Sequence, residues 1–177
     1  MGSLIRPPAF SANGCVFKPM MTVPTLQPTF VTESTMRIHI INGPNLDLLG
    51  TREPEVYGKL SFEDYLTELR IRFPEVDFTY TQSNEEGVLV RVLREAAIHH
   101  DGIILNAAGY SHTSVALRDA IAVVVKPVVE VHISNIHARE DFRHNTITGV
   151  VCAGVISGFG LEGYALAVQY LLDRSNG

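Results

Sequence analysis

Two residues near the end of an apolar run, Glu130 and His132, have the spacing that acid–base chemistry requires. Residues two apart in a β-strand point to the same face of the sheet, so the carboxylate and the imidazole should lie side by side. A carboxylate beside an imidazole fixes which ring nitrogen carries the proton and suits the ring to act as a general acid. Burying both groups is costly unless they work as a pair. The sequence therefore predicts a buried proton donor.

Two arginines follow these residues. Arg139 and Arg143 are four apart, so they could share one face of a short helix. Arg143, close to the end of the predicted strand, could pair with a carboxylate of a ligand. Arg139 could equally be a surface residue.

A long loop precedes them in the chain, at residues 42–58. Loops of this length in compact domains are typically functional or disordered. Gly50 and Gly58 bracket Arg52 and Tyr57 and could act as hinges of a lid. The alternative is a solvated, turn-rich loop without a function.

A second polar segment, residues 106–120, begins with Asn106 at the end of a predicted strand. It continues through His112 into a helix predicted from about residue 113. A helix start is a natural anion site, although a histidine there is also common as an ordinary polar residue. Asp119 lies two helical turns beyond His112, about 10 Å along the helix. We expect Asp119 to lie outside the pocket that His112 faces, so any function it has would serve a neighbouring subunit.

Two further sequence patterns, a glycine motif and the histidines, do not indicate a functional site. Residues 158–163 match G-x-G-x-x-G, but a dinucleotide site also needs another strand and an acidic residue about twenty positions later. Too few residues follow Gly163 for that strand, so we interpret the glycines as helix-to-sheet packing. The histidines, including His99 and His100, lack the spacing of metal ligands. We therefore predict no metal site.

The elements that must position these residues alternate along the chain. Helical patterns separate five apolar, β-branched runs, at residues 37–41, 76–80, 102–105, 128–133 and 150–156. Ser61 and Asn84 are predicted to cap the first two helices. This alternation predicts an α/β fold, a three-layer flavodoxin-like sandwich with a five-stranded parallel sheet. Ligands bind such sheets beyond the carboxyl ends of the strands, where the polar loops lie.

The composition of the chain limits which partners, membrane segments and disulfides it can have. The 177 residues carry a net charge of −5, which argues against a nucleic-acid partner, and no apolar run is long enough to span a membrane. Two cysteines cannot form a disulfide framework. Residues 1–35 are proline-rich and show no helical or strand periodicity, so we expect a mostly disordered N-terminal extension. Residues 36–177 are expected to form a single catalytic domain of a cytoplasmic protein.

Three segments together resemble type II 3-dehydroquinate dehydratases: NGPNLDLLGTREPEVYG, NAAGYSHTSVALRDA and EVHISNIHAREDFR. The resemblance extends from Met36 to about Leu172. It implies an enzyme that removes water from 3-dehydroquinate to give 3-dehydroshikimate, in the shikimate pathway of aromatic amino acid biosynthesis. It also implies a flavodoxin-like fold, no metal or cofactor, and a homododecamer built from trimers.

The resemblance implies roles for individual residues. Tyr57 corresponds to the general base that takes a proton from carbon 2, and Arg52 to the residue that stabilises its phenolate. His132, oriented by Glu130, corresponds to the acid that protonates the hydroxyl leaving carbon 1. Asn45 corresponds to an asparagine that holds a water over the developing enolate. Matches to substrate-binding positions are Asn106, His112, Arg143, Asp119 from an adjacent subunit, and the backbone amides of Ile133 and Ser134.

The competing class is a flavodoxin-like binding or signalling module. A flavin site needs a Ser/Thr-rich phosphate loop after the first strand, and NGPNLDLL is not one. A phospho-receiver needs aspartates at places where this chain has Asn45 and Asn106. A purely structural subunit would have no reason to bury Glu130 and His132 together. The residues therefore favour an enzyme.

Overall fold

The computed structural model describes residues 35–50 and 60–175. Within these ranges the chain forms five strands and four α-helices. The strands are β1 (Met36–Asn42), β2 (Val76–Gln82), β3 (Gly102–Asn106), β4 (Val128–His132) and β5 (Gly154–Ser157). The helices are α1 (Phe62–Arg72), α2 (Glu86–His99), α3 (Val115–Ala122) and α4 (Glu162–Ser175). Most of the predicted N-terminal extension, together with Arg52 and Tyr57, lies outside the described residues.

The sheet is parallel throughout, in the order β2-β1-β3-β4-β5. This order confirms the predicted flavodoxin-like fold. The strand order reverses between β1 and β3, where ligands bind in sheets of this kind. The final residues of these two strands, Asn42 and Asn106, are directly paired in register. Two asparagines therefore stand side by side at the switch point.

Helices cover both faces of the sheet, as predicted. α1 and α4 contribute to one core cluster, which also holds Val129 and Val131 of β4. α2 and α3 form a second cluster on the opposite face, with Ile103 and Leu105 of β3. Because side chains alternate along a strand, Glu130 and His132 point to the face that α2 and α3 cover.

Helix starts show one correct prediction and one error. Ser61 caps α1, since its hydroxyl accepts the backbone N–H of Asp64 at 3.1 Å. Asn84 does not cap α2, which has Glu85 at its N-cap without a side-chain cap bond. The Asn84 side chain instead accepts the backbone N–H of Asn45 at 2.9 Å. It ties the loop after β1 to the end of β2.

Two predicted boundaries are also wrong. The last strand begins at Gly154 rather than at residue 150, because Gly149–Val151 form a 3₁₀ turn. β5 pairs with β4 at the sheet edge and leaves Val155 44% exposed, so it is not covered on both faces. α3 begins only at Val115, after its Ser114 cap. No helix among the described residues is long and apolar enough to cross a membrane.

Candidate active site

The loops after β1, β3 and β4 surround an open cavity of about 280 Å³ at the carboxyl ends of the strands. A cavity of this size suits a small molecule. Seven residues predicted from the sequence line it: Asn45, Asn106, His112, His132, Ile133, Ser134 and Arg143. Residues as far as 98 positions apart in the printed sequence thus meet at the predicted edge of the sheet.

Glu130 and His132 form the predicted pair. The carboxylate is fully buried and the imidazole is 6% exposed at the cavity wall. Glu130 Oε1 lies 2.8 Å from His132 Nε2. Because an ionised carboxylate can only accept, Nε2 carries the hydrogen of this bond. Nδ1 is then the ring nitrogen that can exchange a proton with a molecule in the cavity.

Sequence reasoning missed the group on the other side of Glu130. The hydroxyl of Thr148, itself fully buried, donates to Glu130 Oε2. Thr148 lies in the segment between β4 and β5, where no strand or helix periodicity marks a residue as inward-facing. A threonine between apolar neighbours was the only signal in the sequence.

His112 lies beside His132, with ring centroids 5.9 Å apart. Its Nδ1 donates to the carbonyl oxygen of Asn145 at 2.9 Å, which leaves Nε2 for a ligand. His112 ends a 3₁₀ turn, Ala108–His112, and α3 starts afterwards, so His112 and Asp119 do not share a helix as predicted. Asp119 is 66% exposed on α3, contacts Arg118 at 3.4 Å, and does not line the cavity.

A buried tyrosine fixes the two switch-point asparagines. The hydroxyl of Tyr164 on α4 donates to Asn42 Oδ1 at 2.8 Å and accepts from Asn106 Nδ2 at 2.9 Å. Burial raises the pKa of Tyr164, so it stays a neutral phenol. The backbone N–H of Ala108 donates to Asn106 Oδ1 at 3.2 Å. Asn106 is therefore held rigidly beneath the cavity, by a tyrosine that the sequence reading did not single out.

The loop after β1 approaches the loop after β3 closely. The Gly43 N–H donates to the carbonyl of Asn106 at 2.7 Å. A Cβ at Gly43 would lie only 2.7 Å from the carbonyl oxygen of Ala107, so no other residue fits there without a shift of the backbone. Asn45 follows with a left-handed φ of 65° and lines the cavity. These contacts fix where Asn45 stands.

Arg139 follows the 3₁₀ turn Ile136–Ala138 and Arg143 ends a separate one, Asp141–Arg143, so the predicted shared helix is wrong. Both nevertheless line the cavity. Glu140 lies between them, with its Oε2 2.8 Å from Arg143 Nε and 3.5 Å from Arg139 Nε. Arg139 is therefore a cavity residue, and Glu140 holds both guanidinium groups in place.

The described residues contain no group of three or more His, Cys, Asp or Glu side chains that could hold a metal ion.

Gly163 packs as predicted: a Cβ there would lie 3.1 Å from Val131 Cγ1. Gly158 and Gly160 differ from the prediction, since both have a positive φ and shape the turn before α4.

A family model described as dehydroquinase class II matches residues 36–172. The chain belongs to this family. The 3-dehydroquinate dehydratase of an Exiguobacterium species is 55% identical over 140 residues, covering 78% of this chain and 96% of the relative. The enzyme of the same name from Bacillus subtilis is 48% identical over 141 residues, covering 78% and 95%.

Solved structures of the class II dehydroquinase family agree. The type II dehydroquinase from Butyrivibrio crossotus superposes with a TM-score of 0.75 at 42% identity, covering 78% of this chain and 98% of that one. The corresponding protein from Propionibacterium acnes gives a TM-score of 0.73 at 39% identity, with the same coverage. The family predicted from the sequence is confirmed, and so is the prediction of an enzyme of the hydro-lyase class.

Proposed function

We propose that the chain converts 3-dehydroquinate to 3-dehydroshikimate and water, as a step of the shikimate pathway. The observation that carries this proposal is the buried Glu130–His132 pair, 2.8 Å apart at the cavity wall. A hydroxyl leaves carbon 1 readily only when it takes up a proton. His132 Nδ1 donates that proton, and Glu130 holds the ring by Nε2 and stabilises the imidazolium.

The opposite end of the reaction needs a base. We assign it to Tyr57, with Arg52 stabilising its phenolate; both lie outside the described residues. A tyrosine of ordinary pKa near 10 is ionised in about one part in a thousand at pH 7. Increasing that fraction a hundredfold requires about 2.7 kcal/mol of preference for the phenolate, which one close, partly desolvated arginine can supply.

The bond changes balance without a further reactant. Tyr57 removes a proton from carbon 2, and the electron pair becomes an enolate whose negative charge lies on the ketone oxygen. A water held by Asn45 stabilises that oxygen where the charge develops. The enolate then collapses, the bond from carbon 1 to oxygen breaks, and His132 protonates the departing hydroxyl. Because the base and the acid act on opposite ring faces, the elimination is anti.

The remaining cavity residues bind the substrate. We assign its carboxylate to the backbone amides of Ile133 and Ser134, which directly follow His132 at the cavity wall. Arg143, His112 and Asn106 bind the other oxygens. The hydrogen bonds that Glu140, Asn145 and Tyr164 make to these three side chains support the assignment, since pre-positioned groups bind at a smaller entropic cost.

We also propose a homo-oligomer, a dodecamer built from trimers, in which Asp119 contacts the substrate of an adjacent subunit. Exposed valines at the two ends of α3, the helix that carries Asp119, support this. Val115, Val123 and Val125 are 59%, 72% and 97% exposed, an apolar surface that a monomer would rarely leave in water. The cytoplasmic location stays a prediction.

The proposed reaction is tested by absorbance, because the product is a conjugated enone and the substrate is not. Adding 3-dehydroquinate to the full-length protein, with a chelator present, should raise the enone absorbance. The Tyr57→Phe variant should keep its circular dichroism spectrum and lose about 10²–10⁴-fold in kcat, the usual value of a general base. A folded, assembled wild-type protein that produces no enone would rule the proposal out.

A further inference from the structure

Glu130 is held at both of its carboxylate oxygens. His132 Nε2 donates to Oε1 at 2.8 Å, and the Thr148 hydroxyl donates to Oε2. Glu130 and Thr148 are both fully buried. A buried carboxylate keeps its charge only where donors replace the water it has lost. Thr148 supplies the donor on the side away from the histidine.

The Thr148 hydroxyl has one hydrogen and two acceptors within reach. The second acceptor is the carbonyl oxygen of Ser111, at 3.3 Å, and the contact with Glu130 is much the shorter. A charged acceptor at short range takes the hydrogen. Thr148 also precedes the 3₁₀ turn Gly149–Val151, where a threonine would ordinarily cap, yet its side chain makes no cap bond. Its hydroxyl is committed to Glu130.

The next residue allows this close approach. A Cβ on Gly149 would overlap Thr146 Oγ1, lie 2.7 Å from Val155 Cγ2, and come within 3.1 Å of Glu130 Oε1. Because residue 149 has no side chain, the backbone at residues 148–149 can lie this close to the Glu130 carboxylate.

The segment is itself anchored to the loop after β3. Ile147 N–H donates to the carbonyl of Ser111 at 2.9 Å, and His112 Nδ1 donates to the carbonyl of Asn145 at 2.9 Å. We call residues 145–149 the brace. The brace contacts His112 through a carbonyl and reaches His132 through Thr148 and Glu130, so it holds both histidines of the cavity.

We propose that Thr148 is a positioning residue for the proton donor: its hydroxyl holds the Glu130 carboxylate in place, so that His132 presents Nδ1 to the leaving hydroxyl. This inference rests on the proposed dehydration. Without the hydroxyl, Glu130 Oε2 has no donor from Thr148. The carboxylate is then fixed at one oxygen instead of two and holds the imidazole less firmly.

The test is Thr148→Val, which keeps the shape of the side chain and removes the donor. We expect kcat to fall about 10- to 100-fold, the effect of losing a hydrogen bond to a charged group, while KM changes less than about threefold. Thr148→Ser, which restores the hydroxyl, should recover most of kcat.

The matched control is Thr79→Val. Like the Thr148 hydroxyl, the Thr79 hydroxyl has two polar partners, which here are ring nitrogens of His39 and His100. None of these three residues lines the cavity. We expect kcat and KM to stay at wild-type values in Thr79→Val. A wild-type kcat in Thr148→Val, or a loss of activity that merely follows the loss of folded protein, would overturn the inference.

Ring ¹⁵N NMR separates this inference from the proposed reaction, because it needs no turnover. In the wild type the hydrogen of neutral His132 should stay on Nε2; in Thr148→Val it should distribute between both ring nitrogens. An unchanged ring spectrum would overturn the positioning role. A wild-type protein with the expected spectrum and no enone formation would instead overturn the dehydration.

Discussion

Two buried histidine clusters occupy the same sheet and differ in what the imidazole faces. In the carboxylate cluster, His132 lies 2.8 Å from Glu130, whose second oxygen accepts from Thr148. This cluster lies at the carboxyl end of β4 and its imidazole reaches the cavity. Both donors of this cluster, His132 Nε2 and the Thr148 hydroxyl, have the Glu130 carboxylate as their acceptor.

The imidazole cluster joins His39 of β1, Thr79 of β2 and His100. His39 Nδ1 lies 2.5 Å from the Thr79 hydroxyl oxygen, which lies 2.7 Å from His100 Nε2. His39 Nε2 is buried without a hydrogen-bond partner among the described residues. Burial, with His100 as a second cause, lowers the pKa of His39 to about 4.

The two clusters show what a buried histidine needs in order to carry a proton. His39 and His132 are both less than 10% exposed. His39 has a hydroxyl and a second imidazole beside it, so protonation would place an uncompensated charge in the core. His132 has a buried carboxylate, which compensates the charge of the imidazolium. The anion, rather than burial, makes a histidine suitable for acid catalysis.

The largest effect expected from this comparison is on turnover. His132→Ala should lower kcat about 10²–10⁴-fold, because the leaving hydroxyl loses its proton donor. His39→Leu should leave kcat within about threefold of the wild type in the same enone assay. Equal losses in the two variants would mean that the carboxylate does not distinguish the clusters.

Acid stability should depend on the imidazole cluster. His39 takes up a proton at pH 6.5 in the unfolded chain and only near pH 4 in the folded one. Between these values the unfolded state binds more protons, so the free energy of unfolding falls as pH drops, by up to about 3 kcal/mol. Urea unfolding from pH 7 to pH 4 should show a shallower loss for His39→Leu.

The control for that series is His137→Leu, which removes an exposed histidine. It should keep the wild-type slope of stability against pH. If His39→Leu also keeps the wild-type slope, the low proton affinity of His39 is not the reason why the free energy of unfolding falls at acid pH.

Glu130→Gln replaces the anion by an amide of the same shape. We expect kcat to fall about 10- to 100-fold with a smaller change in KM, since a hydrogen bond to a charged group is lost while the cavity is kept. Glu68→Gln, on the exposed side of α1, should have wild-type kinetics. Wild-type turnover in Glu130→Gln would show that His132 needs no carboxylate.

The smallest effect should come from His100→Gln. It removes the lesser of the two causes that lower the pKa of His39 and leaves the larger cause, burial, in place. The loss of stability between pH 6.5 and 4 should therefore shrink by less than about 1 kcal/mol. If His100→Gln lost no stability at all between pH 6.5 and 4, His100 rather than burial would be the main cause of the low pKa of His39.

The sheet and the Glu130–His132 pair could be predicted because they follow from periodicity. Alternating strands and helices restrict the fold to parallel units, and a spacing of two puts two strand residues on one face. Such rules involve residues close in the chain. They suffice for a strand, and the end of each strand then indicates the edge where the site lies.

The hydroxyls that fix the site could not be predicted in this way. Tyr164 reaches Asn42 across 122 positions and Asn106 across 58. Thr148 reaches Glu130 from a segment that is neither strand nor helix. No local pattern encodes these pairings, because they depend on how separate elements pack.

Local competition explains the boundary errors. Asn84 is of the right residue type to cap α2 and precedes its N-cap by one residue, but its side chain bonds the loop after β1 instead. Val150 and Val151 look like strand residues, yet they belong to the 3₁₀ turn that brings Gly149 close to Glu130. In both cases a contact distant in sequence replaced the local preference.

Hydrogen exchange at carbon 2 of 3-dehydroquinate, followed by ¹H NMR in D₂O, tests most directly whether His132 is the acid for the leaving hydroxyl. We expect His132→Ala to exchange this hydrogen for deuterium and to form almost no enone, because the base acts and the leaving hydroxyl is not protonated. Enone formation at the wild-type rate, or the absence of both exchange and dehydration in a folded variant that binds substrate, would contradict it.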